Sequence, residues 1–317
     1  MPPFFDATPF DPTNFHRWAQ DGDVIIASAM KSGTIMLHQI VYLLRSGGKY
    51  DFERLIDEVG NMENMKYPEH SLETRITEQN VRRARVDLGN QQWFTHQSPG
   101  GKKNLYGLDP KKHPGIKYLC ISHNGKEVVR SAFSYINAFT KEGRDVWGGF
   151  PPPMKTPQDL LDRLFAHPEI YFEHGAQWWN VRNAPNVLLL HFIDVVSDKK
   201  GTIQNIAKSL GIELIEELAA VVFEKSSHEF MQQNSKKYIS YIGYPGKEMM
   251  RVKEGIHIRK GGDKNECESA QKYVERCVCV CVTVCVCILR YIDTRNMNVQ
   301  QIVLQCVAVC CSVFQSA

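Results

Sequence analysis

One stretch limits what this chain can fold into: Asp23-Val24-Ile25-Ile26-Ala27-Ser28-Ala29-Met30-Lys31-Ser32-Gly33-Thr34, followed by the apolar run from Ile35 to Leu44. Residues 23–27 predict a buried strand and residues 34–45 a helix, ended by Gly47-Gly48, on which Met36, Ile40, Leu43 and Leu44 share one face. The tight turn between them carries Lys31, Ser32, Gly33 and Thr34 to the start of the helix. There the first amides lack intrahelical partners, the helix dipole is positive and Lys31 adds a full charge, so the junction suits a phosphate or a sulfate. It is not the general nucleoside-triphosphate loop, whose two glycine positions ahead of the lysine are Ile25 and Met30 here. Taken alone, an ordinary strand-turn-helix with a surface lysine remains the alternative.

More strands and helices follow in alternation. Gln92 to His96 is a short strand ending in a histidine, and Lys117 to Ser122 is a third strand that leads through His123-Asn124-Gly125 into a helix from Lys126 to Phe139. Thr156-Pro157-Gln158-Asp159 opens another helix, with threonine as cap and proline in the first turn. Asn186 to Phe192 is a fourth buried strand, and helices over 199–210 and 213–224 complete the series. The alternation predicts an α/β fold: a single domain, residues 1–276, with a central parallel sheet flanked by helices around a P-loop-like strand-turn-helix. Residues 49–90 read as loops and a helix without a clear position, and 140–155, with Gly148-Gly149 and Pro151-Pro152-Pro153, read as a loop.

Composition excludes several classes. A formal charge of +3 over 317 residues gives no reason to expect nucleic acid or a membrane surface as partner. The start, Met1-Pro2-Pro3-Phe4-Phe5-Asp6, has no signal-peptide pattern, which points to the cytoplasm. Up to Arg276 the only cysteines are Cys120 and Cys267, too few for a disulfide framework or a zinc site. From Cys277 onward Val and Cys alternate, as a translated TG repeat would, so residues 277–317 read as a low-complexity Cys/Val-rich tail and a gene-model artefact.

Taken together, Lys31-Ser32-Gly33-Thr34, Thr95-His96, Lys126-Glu127-Val128 with Ser131, Ser226-Ser227 before Glu229-Phe230-Met231, and Arg259-Lys260-Gly261 resemble the motifs of the cytosolic sulfotransferase family, in the family's order and over about residues 15 to 265. The resemblance implies a sulfuryl transfer from 3′-phosphoadenosine 5′-phosphosulfate (PAPS) to a hydroxyl or amine of a small-molecule acceptor, with no metal. It implies that Lys31, Ser32, Gly33, Thr34 and Ile35 hold the 5′-phosphosulfate and that Lys31 offsets developing charge. His96 is then the general base, a task suited to imidazole, whose unperturbed pKa is about 6.5. Ser131, Arg259, Lys260 and Gly261 meet the 3′-phosphate end, and Met36, His123, Phe192, Ser226 and His228 stand at further nucleotide-binding positions.

The chain also departs from the family pattern. His123 stands for an arginine at the 3′-phosphate, Met36 and His228 for two aromatics, Phe192 for a tyrosine, and Phe94 for a lysine ahead of Thr95-His96. A stretch starting at Lys264 lacks the family's dimer motif, which leaves the oligomeric state open. The alternative reading is a catalytically impaired nucleotide-binding or scaffold protein with this fold; a kinase is disfavoured by the missing glycines. Phe15, Met65, Phe139, Trp147 and Phe150 are candidates for an apolar acceptor pocket and equally for the core, with core packing favoured for Phe15, while His38, His167, His174 and His191 read as structural, with no metal spacing among them.

Overall fold

The computed structural model describes residues 12–258, apart from 62, 64–65, 86–89, 100–103, 105–106, 168–170 and 257. Met65, the Arg259-Lys260-Gly261 motif and the 277–317 tail lie outside the described residues. After a short 3-10 helix at Pro12–Arg17, the chain runs β1 (Val24–Ser28), α1 (Thr34–Arg45), α2 (Leu55–Glu58), β2 (Gly60–Asn61), α3 (Leu72–Arg85), β3 (Gln92–Thr95) and β4 (Lys117–Ser122). It continues through α4 (Gly125–Asn137), α5 (Lys141–Asp145), α6 (Pro157–Ala166), α7 (Phe172–Asn180), β5 (Val187–His191), α8 (Phe192–Ser197), α9 (Lys199–Leu210), α10 (Glu216–Lys225) and α11 (His228–Gln233). A two-stranded hairpin, β6 (Tyr241–Ile242) and β7 (Met249–Met250), follows.

The five strands β2-β3-β1-β4-β5 form one parallel sheet, as the alternation of elements predicts. All five residues of β1 are buried because it lies at the centre of the sheet with both faces covered. Its side chains alternate accordingly. Ile25 and Ala27 pack with Trp18, Trp93, Tyr118, Cys120 and Trp178 on one face, and Val24 and Ile26 pack against α1, α9 and α10 on the other.

Asp23, 0% exposed, ties the start of β1 to β3: its carboxylate accepts from the Gln91 amide (2.7 Å) and from Trp93 Nε1 (2.8 Å). Those bonds match the register Val24↔Gln92 and Ala27↔Thr95, which brings Ser28 level with the end of β3. On the other side Ser28 pairs with Ile121, and Ser122 with His191, so the carboxyl ends of β1, β3, β4 and β5 lie along one edge of the sheet. In open parallel sheets that edge is where ligands bind.

The strand-turn-helix unit lies where the sequence predicts, as does the start of α6, where Thr156 and Asp159 form a reciprocal capping box. Several bounds differ from expectation: the strand expected to be buried and to reach Phe192 is half-buried and ends at His191, with Phe192 opening α8; the helices expected over 126–139 and 213–224 are Gly125–Asn137 and Glu216–Lys225; and the expected 140–155 loop holds α5. The 49–90 segment, expected to hold loops and a helix, holds α2, β2 and α3. Among the described residues no helix is long and apolar enough to cross a membrane, and no cluster of three or more His, Cys, Asp or Glu side chains could hold a metal ion.

His38 on α1 is a buried structural histidine, with Nδ1 bonded to Gln92 Nε2 (2.7 Å), and burial lowers its pKa to about 3. His174 on α7 is likewise pushed down to about 3 by burial. Unfolded, each takes a proton near pH 6.5; folded, neither does until about pH 3. Stability is therefore full above pH 6.5 and falls between those values by up to about 1.4 kcal/mol per pH unit for each group. Denaturant titrations between pH 7 and pH 5 should show this slope, and His38→Gln, which keeps an acceptor for Gln92, should remove one histidine's share of it.

Candidate functional site

The site is built on the loop between β1 and α1. Lys31 has φ of 60°, in the left-handed region that costs a non-glycine residue about 1–2 kcal/mol. Its ammonium lies 4.6 Å from the centroid of the Tyr135 ring on α4. Ser32 is 0% exposed and its Oγ has no hydrogen-bond partner in the protein. Gly33 caps α1 at φ 95° without a side-chain hydrogen bond, so no side chain closes the positive end of this 12-residue helix. The result is an apolar-walled turn carrying a cation, a buried hydroxyl and the first amides of a helix, which is the donor set that an oxyanion requires.

Ser28 joins this loop to the histidine. Its hydroxyl is 2.6 Å from Thr34 Oγ1, and its carbonyl accepts from His96 Nδ1 at 2.8 Å. A carbonyl can only accept, so the neutral ring carries its proton on Nδ1 and its lone pair on Nε2. The Phe94 ring lies 4.6 Å from the imidazole, edge to face. The turn after β3 is fixed from both sides. Glu63, which is buried, accepts from the His96 amide (2.8 Å) and from Thr95 Oγ1, while Gln97 N donates to Thr95 Oγ1 (2.9 Å). From α7, Trp178 Nε1 donates to the Gln97 carbonyl (3.2 Å), and Ser98 Oγ bonds Gln177 Oε1. Burial raises the pKa of Glu63, and the His96 charge and the donors around the carboxylate act against that rise.

A second group converges across the end of β4. His123 stacks on Phe192, with ring centroids 4.2 Å apart, and a Cβ on Gly33 would come within 2.5 Å of Phe192 Cδ2. His123 Nδ1 accepts from the Asn124 amide (2.7 Å). Burial first, then the charges of His191 and Arg130, push its pKa down to about 4, so its ring is neutral near pH 7. Ser131 and Tyr135 lie on α4, the helix that follows His123.

Ile35 and Met36 pack against Phe52, Met231, Tyr238 and Ile258, so the residue just before Arg259 belongs to the cluster that lines the start of α1. His228 is exposed as the first residue of α11. Ser226 is 0% exposed, with its hydroxyl bonded to the Val222 carbonyl at 2.6 Å, so that side chain serves the end of α10. Of the apolar candidates, Phe15 is in the main core, as favoured from the sequence, stacked on His113. Trp147 packs with Ile242, Phe150 and Met249 beside the β6–β7 hairpin, and Phe139 is buried.

Sequence reasoning missed Ser28 and Glu63. Ser28 could have been found as the last residue of a predicted strand facing the loop. Glu63 lies in the segment without periodicity, and only the pairing Asn61↔Phe94 brings it to His96.

The sulfotransferase domain family matches residues 21–269. Sulfotransferase 1B1 of Mus musculus is 25% identical over 247 residues, covering 76% of this chain and 74% of that protein. Sulfotransferase 1E1 of Bos taurus is 26% identical over 253 residues, covering 77% and 76%. Among solved structures, retinol dehydratase in complex with retinol and PAP aligns over 84% of both chains with a TM-score of 0.53 at 20% identity. Mouse sulfotransferase SULT7A1 complexed with PAP aligns over 96% of this chain and 93% of that one, with a TM-score of 0.52 at 17% identity. At these identities the structures establish a shared fold.

Gly33→Ala tests the loop's construction. A methyl there would both strain the backbone and displace Phe192, and the expected loss in a urea titration is about 2–4 kcal/mol.

Proposed function

The chain belongs to the sulfotransferase family, and on that premise we propose that it moves a sulfuryl group from PAPS to a hydroxyl or amine of a small acceptor, with His96 as general base and Lys31 as charge stabiliser. The observation that carries this reading is the link through Ser28, which bonds the base with its carbonyl and the anion loop with its hydroxyl.

The residues fit the nucleotide. The buried Ser32 hydroxyl has no partner in the protein, α1 starts without a side-chain cap and Lys31 supplies the charge. When bound, PAPS supplies an activated sulfuryl group on its 5′-phosphate. Lys31, Ser32, Thr34 and the first amides of α1 bind that phosphate and take up the charge left on it as its bond to sulfur breaks. His96 accepts at Nε2 the proton released as the acceptor oxygen or nitrogen bonds to sulfur. The products are PAP and the sulfated acceptor. Much of the remaining catalysis is positioning, as in phosphoryl transfer. Ser131 and the Arg259-Lys260-Gly261 motif serve the 3′-phosphate, with Met36, His123, Phe192 and His228 along the nucleotide. Ser226 supports this wall through α10, since its hydroxyl is engaged with Val222. The acceptor pocket draws on Phe139, Trp147 and Phe150, without Phe15.

One observation favours the second reading, a nucleotide-binding protein with weakened transfer. His123 is neutral near pH 7, where an arginine would bring a permanent cation. A charge-assisted phosphate contact is worth about 1.5–3 kcal/mol, or about 10- to 100-fold in affinity.

Transfer of labelled sulfate from PAPS to a panel of phenols, alcohols and amines separates the two readings. The proposal expects turnover and, in His96→Ala, a fall in kcat of about 100- to 10,000-fold with PAP affinity held within about threefold. Undiminished turnover in His96→Ala removes the base role; PAP binding without transfer to any acceptor favours the second reading. In calorimetric titrations at pH 7, His123→Arg should bind PAP about tenfold more tightly than the parent chain.

A further inference from the structure

We propose that Glu63 is a positioning residue for His96, locking the turn after β3 so that the imidazole keeps its Nδ1–H on the Ser28 carbonyl and presents Nε2 as the base. This deepens the reading above and rests on it for the role of His96.

Glu63 follows β2, whose Asn61 pairs with Phe94, and its own amide donates to Asn61 Oδ1 at 2.9 Å. That bond directs the side chain back toward the end of β3. There one carboxylate oxygen, Oε1, gathers the His96 amide and the Thr95 hydroxyl, and the same hydroxyl accepts from the Gln97 amide. Three successive residues are therefore tied to a single buried group. The opposite side of the turn is held by Trp178 and Gln177. With the backbone of His96 fixed in this way, the ring reaches the Ser28 carbonyl at 2.8 Å.

The chemical nature of Glu63 supports a functional role. It is 2% exposed, burial raises its pKa, and Oε2 has no hydrogen-bond partner in the protein. Burying a carboxylate with one oxygen unmatched is expensive, and such cost concentrates where a site must be held in one geometry. Among the described contacts its hydrogen-bond partners are the donors of the base's own turn, and the charge that acts on it is that of His96 itself.

The test compares Glu63→Ala with Glu63→Gln, whose amide oxygen can still accept from Thr95 and His96. For Glu63→Ala, kcat should fall at least tenfold while KM for PAPS stays within about threefold; Glu63→Gln should keep kcat within about threefold of the parent. Long-range proton–nitrogen NMR of the imidazole gives a readout that needs no turnover. The parent and Glu63→Gln should show His96 as the Nδ1–H tautomer, and Glu63→Ala a mixture of tautomers. Thr95→Val, which removes the hydroxyl without changing side-chain shape, should show the same drift if Glu63→Ala does not fold. Unchanged kcat and tautomer in the alanine variant, or a glutamine variant as impaired as alanine, would overturn the proposal. If the parent chain transfers no sulfate to any acceptor, the reading of His96 as a base fails, and the tautomer result still decides whether Glu63 sets the ring.

Discussion

The site depends on the two hydrogen bonds of Ser28. As the last residue of the central strand, it has neighbours on both sides: β3 delivers His96 to its carbonyl, and the turn into α1 brings Thr34 to its hydroxyl. The His96 contact would be lost if β1 slipped by one residue against β3, because the end of β3 would then no longer lie level with the Ser28 carbonyl; the Thr34 contact is local to the strand-turn-helix unit. The register is held from the other end of β1 by Asp23, whose bonds to Gln91 and Trp93 are buried. A carboxylate at the start of the strand thus helps to determine where a base and an anion loop meet at its end.

Strain and space are concentrated around the same point. Lys31 sits in left-handed backbone, Gly33 leaves no room for a side chain beside Phe192, and Ser32 holds a hydroxyl that the protein does not satisfy. Each feature is costly for folding alone and useful for holding an anion, and the flanking core on both faces of β1 supplies the stability that sustains them.

Much of this was legible in the sequence because it is local. The strand-turn-helix at 24–45, the strand at 117–122 and the capping box at Thr156 follow from neighbouring residues, and the structure has them at those positions. What was hidden depends on contacts between distant segments. β2 is two residues long and carries no period, so Glu63 could not be placed beside His96 from its own surroundings. His123 and Phe192 were visible as departures from a family pattern, but their stacking, and the burial that keeps His123 neutral, arise only when β4 and α8 meet. Ser226 shows another such case: its place in a motif is visible in the sequence, while the bond from its hydroxyl to the Val222 carbonyl is visible only in the structure.

A crystal structure of the chain with PAP tests the central claim most directly. The account predicts the 5′-phosphate within hydrogen-bonding distance, about 3 Å, of Lys31 Nζ, Ser32 Oγ and the Thr34 amide, with His96 still bonded to the Ser28 carbonyl. PAP bound away from the β1–α1 loop, or a bound phosphate with Ser32 Oγ unengaged and His96 detached from Ser28, would contradict it.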